Sequence, residues 1–172
     1  MKSNIKKIPL TVETPNFEFK EDDWYWGHRF DNTGQIYIKQ FGKLKHKKYL
    51  KYNFFKILEK KLTELFGEGE FFNLFFNLVK PKTSIKPHTD ILQFKPATPR
   101  VHIPIVTNED AFFNLEDEEI HMKMNNMYVF DNFKIHSVSN YSDEKRIHLV
   151  IDWKPNTSKS LVIEKDLIDI NK

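Results

Sequence analysis

Apolar residues return along this chain in two rhythms. From His46 to Phe66, Leu50, Phe54, Ile57, Leu58, Leu62 and Leu65 recur every three or four positions, the period of one helix face. Gly67 and Gly69 follow at once and predict its end. Further along, the period is two. Phe71–Val79 places Phe72, Leu74, Phe76 and Leu78 on one side of a strand and Asn73 and Asn77 on the other. Arg100–Ile105 sets Val101, Ile103 and Ile105 against Arg100 and His102, and Arg146–Ile151 sets Ile147, Leu149 and Ile151 against Arg146 and His148. Charged faces of that kind are costly inside an apolar core, so they are expected to line a polar cavity or face water. The Phe71–Val79 strand is expected to rest its apolar face on the helix and turn its asparagines toward that cavity.

Weaker signals fill in the rest. Met1–Asn16 reads as an irregular arm, Asn16–Lys20 as a short strand, Asn32-Thr33-Gly34 as a turn and Gln35–Phe41 as a strand. Trp24-Tyr25-Trp26 is either a substrate wall or a flap of core. Pro81–Pro87 reads as a loop delivering the chain to His88, and Pro96 and Pro99 mark a second loop. Glu119–Met124 and Met127–Phe130 form an expected hairpin around Asn125-Asn126, and Asp131–Lys134 turns into a strand carrying His136. Ser139–Lys145 reads as a polar loop and Leu161–Ile170 as a terminal helix. Short strands from residue 71 to 153 behind one helix predict a mainly β fold, a β-sandwich or jelly-roll barrel. No repeat or linker divides the chain. It is expected to be one domain, with strands and helix over 1–70, the barrel core over 71–153 and a tail over 154–172.

Composition narrows the chemistry. At 172 residues one domain can bury a sizeable core, and the absence of cysteine excludes disulfides, thiolate nucleophiles and cysteine-based metal clusters. No apolar run approaches a membrane span and Met1–Leu10 lacks the apolar core of a signal peptide, so a cytoplasmic location is expected. The net charge of +3 is too small to name a partner. The lysines of Lys39–Lys61 suggest a nucleic-acid face, but the helical stripe among them assigns most to the solvated side of an amphipathic helix.

Candidate chemistry concentrates at His88-Thr89-Asp90. One intervening residue puts the imidazole and carboxylate on the same face of a strand, and His136 supplies a second imidazole later in the chain. Two histidines and a carboxylate leave the other positions of a metal open, the facial triad of non-haem Fe(II) oxygenases. Arg146 adds a planar, permanently charged fork for a carboxylate co-substrate. Of the seven histidines, His28 and His46 have no carboxylate paired on a strand, and His121 faces either a substrate pocket or solvent. His102 and His148 share faces with arginines. Glu116–Glu119 reads as a solvated acidic run, and neither a nucleophile elbow nor a phosphate-cradling glycine loop is present.

With these residues in place the chain resembles the aspartyl/asparaginyl β-hydroxylase family, including its small bacterial members that hydroxylate free amino acids such as proline. The resemblance runs from about Asn77 to Trp153. It rests on Pro81-Lys82-Thr83, Pro87-His88-Thr89, Arg100-Val101-His102-Ile103-Pro104, Thr107-Asn108, Phe130-Asp131-Asn132, His136-Ser137-Val138-Ser139-Asn140 and Arg146-Ile147-His148-Leu149-Val150-Ile151-Asp152. It implies a double-stranded β-helix (cupin-like) fold and an Fe(II)- and 2-oxoglutarate-dependent dioxygenase that uses O2. It also implies metal ligation by His88 and His136, with Arg146 on the distal carboxylate of 2-oxoglutarate and Arg100 and His102 near its other end. Asn77 stands where the mammalian member has a serine that assists carboxylate binding. Asp90 stands where that member has glycine, so this chain resembles the complete two-His-one-Asp type. The expected reaction is hydroxylation of an unactivated C–H bond of a small substrate, a free amino acid, with no nucleic-acid or membrane partner. The alternatives are an Asp, Asn or Pro residue in a peptide or protein as substrate, or a jelly-roll binding module without catalysis.

Overall fold

A computed structural model of the chain describes residues 3–27, 32–90 and 100–156. Its strands are β1 (Ile5–Pro9), β2 (Tyr25–Trp26), β3 (Thr33–Gln40), β4 (Lys43–Leu44), β5 (Gly69–Val79), β6 (Thr83–His88), β7 (Arg100–Val106), β8 (Ala111–Leu115), β9 (Glu118–Ile120), β10 (Asn126–Phe130), β11 (His136–Asn140) and β12 (Arg146–Pro155), with helix α1 (Phe54–Phe66) between β4 and β5. They form two antiparallel sheets. The larger runs β1-β10-β7-β12-β5-β3-β2, with β4 on β3, and the smaller runs β6-β11-β8-β9. This is the mainly β, jelly-roll arrangement expected from the alternating pattern.

Two apolar layers hold it. Leu58 and Leu62 of α1 pack with Ile36, Ile38, Leu74, Phe76, Ile103, Leu149, Ile151 and Trp153 on the outer face of the larger sheet. Ile85, Phe113, Leu115, Phe130 and Val138 fill the space between the sheets. As the alternation predicts, β5 gives Leu74, Phe76 and Leu78 to the helix side, while Asn73 and Asn77 line an internal cavity. Gly34 is required by close approach, because a Cβ there would meet the rings of Trp26 at 3.0 Å and Trp24 at 3.1 Å. Tyr25 and Trp26 thus form a short edge strand, and only Trp24 of the three aromatics is buried.

Several elements differ from expectation. The helix does not begin at His46. A 3-10 segment, Lys47–Lys51, ends at Tyr52 in extended backbone, and α1 starts at Phe54. Aromatic packing accounts for the break: buried Tyr49 hydrogen-bonds Asp23, and Tyr52 stacks edge-on against Phe17 at 4.9 Å. The arm over residues 1–16 contains β1, which pairs with β10. Residues 16–20 are not a strand but deliver Phe17 and Phe19 to the aromatic core. Asn125 takes the expected positive φ (59°), yet β9 and β10 form no hairpin. The chain changes sheet at this turn, since β9 pairs with β8 while β10 is taken by β1 and β7. The stretch before His88 is strand β6, whose Pro87 is tolerated because β6 lies at a sheet edge. Strand β8 had no counterpart in the reading of the pattern. The second proline loop, His28 and the terminal helix lie outside the described residues.

Phe76, fully buried between Phe17, Phe19 and Tyr49, is the centre of the helix-side core. Phe76→Ala is expected to cost about 3–5 kcal/mol in urea unfolding; a loss below ~1 kcal/mol would contradict this packing.

Candidate active site

The last rung of one strand pair brings the first two candidate ligands together. His88 ends β6, His136 begins β11, and they are register partners with ring centroids 4.3 Å apart. Asp90 lies just beyond β6, its backbone N–H donating to the Asn132 carbonyl at 3.0 Å. Its carboxylate oxygens lie 3.8 Å from His88 Nε2 and 3.7 Å from His136 Nε2. The three ligand atoms lie within 4.8 Å of one another. Each imidazole is also oriented by the backbone: His88 Nδ1 is 2.7 Å from the Lys86 carbonyl and His136 Nδ1 is 2.9 Å from that of Lys134. A carbonyl only accepts, so both Nδ1 atoms carry the proton and both Nε2 atoms offer a lone pair toward Asp90. That donor set fits a divalent metal.

The larger sheet supplies the facing wall. Arg100 of β7 donates from Nε and Nη2 to the two oxygens of Asp152 at 2.7 and 2.9 Å, and its Nη1 reaches Asp90. Asn73 of β5 donates to the same Asp152 at 2.8 Å. A cavity of about 270 Å³ is bounded by His88, Asp90, His136, Arg100, His102, Asn73 and Asn77, with Phe75, Ile85, Phe113, Val138 and Val150 as its apolar lining. Gln35, Tyr37 and Gln40 of β3 line it too, and they also line an adjoining cavity of about 360 Å³ with Asp23, Tyr25, Lys45 and His46.

Arg146 is 2 % exposed, and no carboxylate pairs with it among the described residues. Its Nη2 lies 2.9 Å from His148 Nδ1. Burial lowers its pKa from the usual arginine value to about 9. Nη1 of Arg146, Nε2 of His148, Nδ1 of His102 and Oδ1 of Asn77 are buried without a hydrogen-bond partner. Unsatisfied buried groups normally cost about 1–3 kcal/mol each. Such a set around an uncompensated cation fits a bound carboxylate. His102 and His148 are both held well below the usual histidine range, first by burial and then by the Arg146 charge. Both are therefore neutral.

Of the residues singled out from the sequence, His88, Asp90, His136, Arg100, His102 and Asn77 share one cavity. Arg146 lies beyond its lining, two residues along β12 from His148, itself the register partner of Asn77. His121 is half-buried, its Nδ1 3.1 Å from the Ala111 carbonyl, and lines neither cavity. Asn73 lines the cavity as the alternation of its strand predicts, whereas Asp152, Gln35 and Tyr37 were not among the residues expected at the site. Asp152 was within reach, because it continues the Arg146–His148 alternation.

Comparison with known proteins gives the family and the fold. The sequence pattern of the Aspartyl/Asparaginyl beta-hydroxylase family matches residues 24–155. The chain belongs to that family. The match reaches further toward the N-terminus than the region that carried the resemblance. An L-proline cis-4-hydroxylase of Rhizobium meliloti is 30% identical over 76 residues, a stretch covering 44% of this chain and 27% of the relative's length. Among solved structures, an oxidoreductase of the 2OG-Fe(II) oxygenase family from Burkholderia pseudomallei superposes with a TM-score of 0.56 at 14% identity, covering 71% of this chain and 67% of the other. A prolyl-4-hydroxylase of Pseudomonas putida gives 0.53 at 14% identity, covering 80% and 79%. At these identities the structural likeness is one of fold. No helix among the described residues is long and apolar enough to cross a membrane.

The neutral histidines make stability pH-dependent. With folded pKa values below the unfolded ~6.5, His102 and His148 bind protons only on unfolding as pH falls through that value. Their contribution is therefore full above pH ~6.5 and is lost below it, by up to about 1.4 kcal/mol per pH unit for each histidine. Urea unfolding between pH 7.5 and 5 is expected to show a shallower acid loss in His148→Gln. An unchanged slope would contradict a buried neutral His148.

Proposed function

We propose that this protein is an Fe(II)- and 2-oxoglutarate-dependent dioxygenase that hydroxylates an unactivated C–H bond of a small substrate, a free amino acid. The convergence of His88, Asp90 and His136 on one point, with each Nδ1 engaged by a backbone carbonyl, carries the reading. These three would hold the metal. Arg146 would take the distal carboxylate of 2-oxoglutarate, supported by Asn77 and by the neutral His148. Arg100 and His102 would wall the metal-proximal end.

With these groups bound, the chemistry supplied is oxidation of a C–H bond to an alcohol by O2. One oxygen atom goes to the product and the other to succinate, as 2-oxoglutarate loses CO2. The chain's own residues bind and orient. Arg146, whose buried Nη1 has no partner while Nη2 meets His148, would donate to an incoming carboxylate through its guanidinium, a charge-assisted pairing roughly twice as strong as neutral hydrogen bonds. Ile85, Phe113, Val138, Val150 and Phe75 form the apolar lining that would shield the reacting carbon from water. Gln35, Tyr37 and Gln40, with Tyr37 Oη donating to Gln35 Oε1 at 2.7 Å, line both the cavity of the candidate metal ligands and the adjoining one, where the second substrate would lie. The cavity of about 270 Å³ adjoins the second of about 360 Å³ through Gln35, Tyr37 and Gln40, and the pair lies within the roughly 300–1,000 Å³ typical of small-molecule sites. The identity with an L-proline cis-4-hydroxylase makes L-proline the first candidate.

The test is Fe(II)-dependent succinate formation from 2-oxoglutarate across the free amino acids. At least one should stimulate turnover, and Asp90→Ala should abolish it; wild-type-like activity in that variant would sink the assignment. Arg146→Met should weaken 2-oxoglutarate binding by about 30-fold or more, the effect of removing one partner of a buried charge pair (~2 kcal/mol upward). Unchanged affinity would remove Arg146 from the co-substrate site.

A further inference from the structure

Asp152 is a fully buried carboxylate in the larger sheet, close to the candidate metal site but not part of it. Its surroundings form a chain of contacts. The backbone N–H of Phe41, in the turn after β3, donates to Asn73 Oδ1 at 2.9 Å, and Asn73 Nδ2 donates to Asp152 Oδ2 at 2.8 Å. Asp152 receives both Nε and Nη2 of Arg100, and the remaining arm of that guanidinium, Nη1, reaches Asp90. One cation is thus shared by two carboxylates, one of them among the candidate metal ligands.

We propose that Asp152 is a positioning residue for the metal centre: fixed by Asn73, it clamps Arg100, and Arg100 sets the orientation of the Asp90 carboxylate. This rests on the metal-site reading above and extends it to residues outside the triad. A purely structural role explains the arrangement less well. A buried Arg–Asp pair gives little net stability over apolar side chains of similar volume. The next inward-facing positions along the two strands are apolar, Phe75 after Asn73 and Val150 before Asp152, so apolar side chains are accommodated on this part of the face. The pair acquires a purpose through its third arm. Asp90 stands beyond the end of β6, outside the strand pairing that fixes the two histidines, and the Arg100 guanidinium is a side-chain cation in contact with its carboxylate. Outer groups that orient a ligating carboxylate typically govern metal affinity by 10–100-fold. Asp152 also keeps two of the guanidinium arms directed away from Asp90. Without that anchor, Arg100 would turn wholly onto Asp90 and compete with the metal for it.

The test uses Co(II), which does not require O2 or turnover, with affinity read by calorimetry and coordination read from the visible Co(II) spectrum. Asp152→Asn keeps the volume but removes the charge and one of the two acceptor oxygens that receive Arg100 and Asn73, which weakens the clamp. It should bind Co(II) 10–100-fold more weakly than wild type and with an altered spectrum, in protein whose thermal transition shows it is folded. Folded Asp152→Asn with wild-type affinity and spectrum would overturn the proposal. Should that variant not fold, Asn73→Ala loosens Asp152 without changing any charge. It should weaken Co(II) by about 5-fold, the worth of one hydrogen bond, and unchanged binding there would equally overturn the proposal. Failure of the wild-type protein itself to bind Co(II) would instead remove the metal-site reading, and this inference with it.

Discussion

An imidazole on each of two hydrogen-bonded strands, at the same rung of the ladder, is the constraint on which the site depends. Because His88 and His136 are register partners, the backbone that closes the smaller sheet also fixes the separation of their rings. A slip of one residue in β11 would send its side chain to the opposite face. The edge position of β6, which tolerates Pro87, and the bulge between His136 and Val138 are local features of the same pairing. The two backbone carbonyls that hold the Nδ1 protons finish the arrangement, so that geometry and tautomer are both set before any metal arrives.

The second constraint is energetic. The inner face of the larger sheet buries Arg146, His148, His102, Arg100, Asp152 and Asn73, while its outer face is packed with apolar side chains. Part of this face is internally satisfied, through Arg100, Asp152 and Asn73. Part is not: Arg146, His148, His102 and Asn77 each keep an unpaired buried atom. The satisfied half borders the candidate metal ligands and the unsatisfied half lies toward Arg146, the division that the proposed roles of positioning and binding follow.

Much of this was readable from the chain itself. Alternation in β5, β7 and β12 fixed which side chains share the inner face, because a period of two leaves no other choice once the apolar set is assigned to the core. The triad followed from residue types and order. What escaped was set by contacts distant in sequence. The break before α1 comes from Tyr49 and Tyr52 packing on Asp23 and Phe17, and the sheet change at Asn125 comes from β1 claiming the edge of β10. Neither leaves a periodic trace. The strand character of β6 was masked by Pro81 before it and Pro87 within it, the latter tolerated only because the strand lies at an edge. Asp152 continued a visible alternation but had no visible partner until Arg100 and Asn73 came to face it.

The central claim is that one cavity holds Fe(II) on His88, Asp90 and His136 with 2-oxoglutarate beside it. Anaerobic titration of the metal-free protein with Fe(II) and then 2-oxoglutarate tests it most directly, through the visible charge-transfer absorption of an Fe(II)–2-oxoacid chelate. A saturable band that requires both components is the predicted result. Folded protein that binds Fe(II) and 2-oxoglutarate without ever producing the band, or that binds neither, would contradict the account.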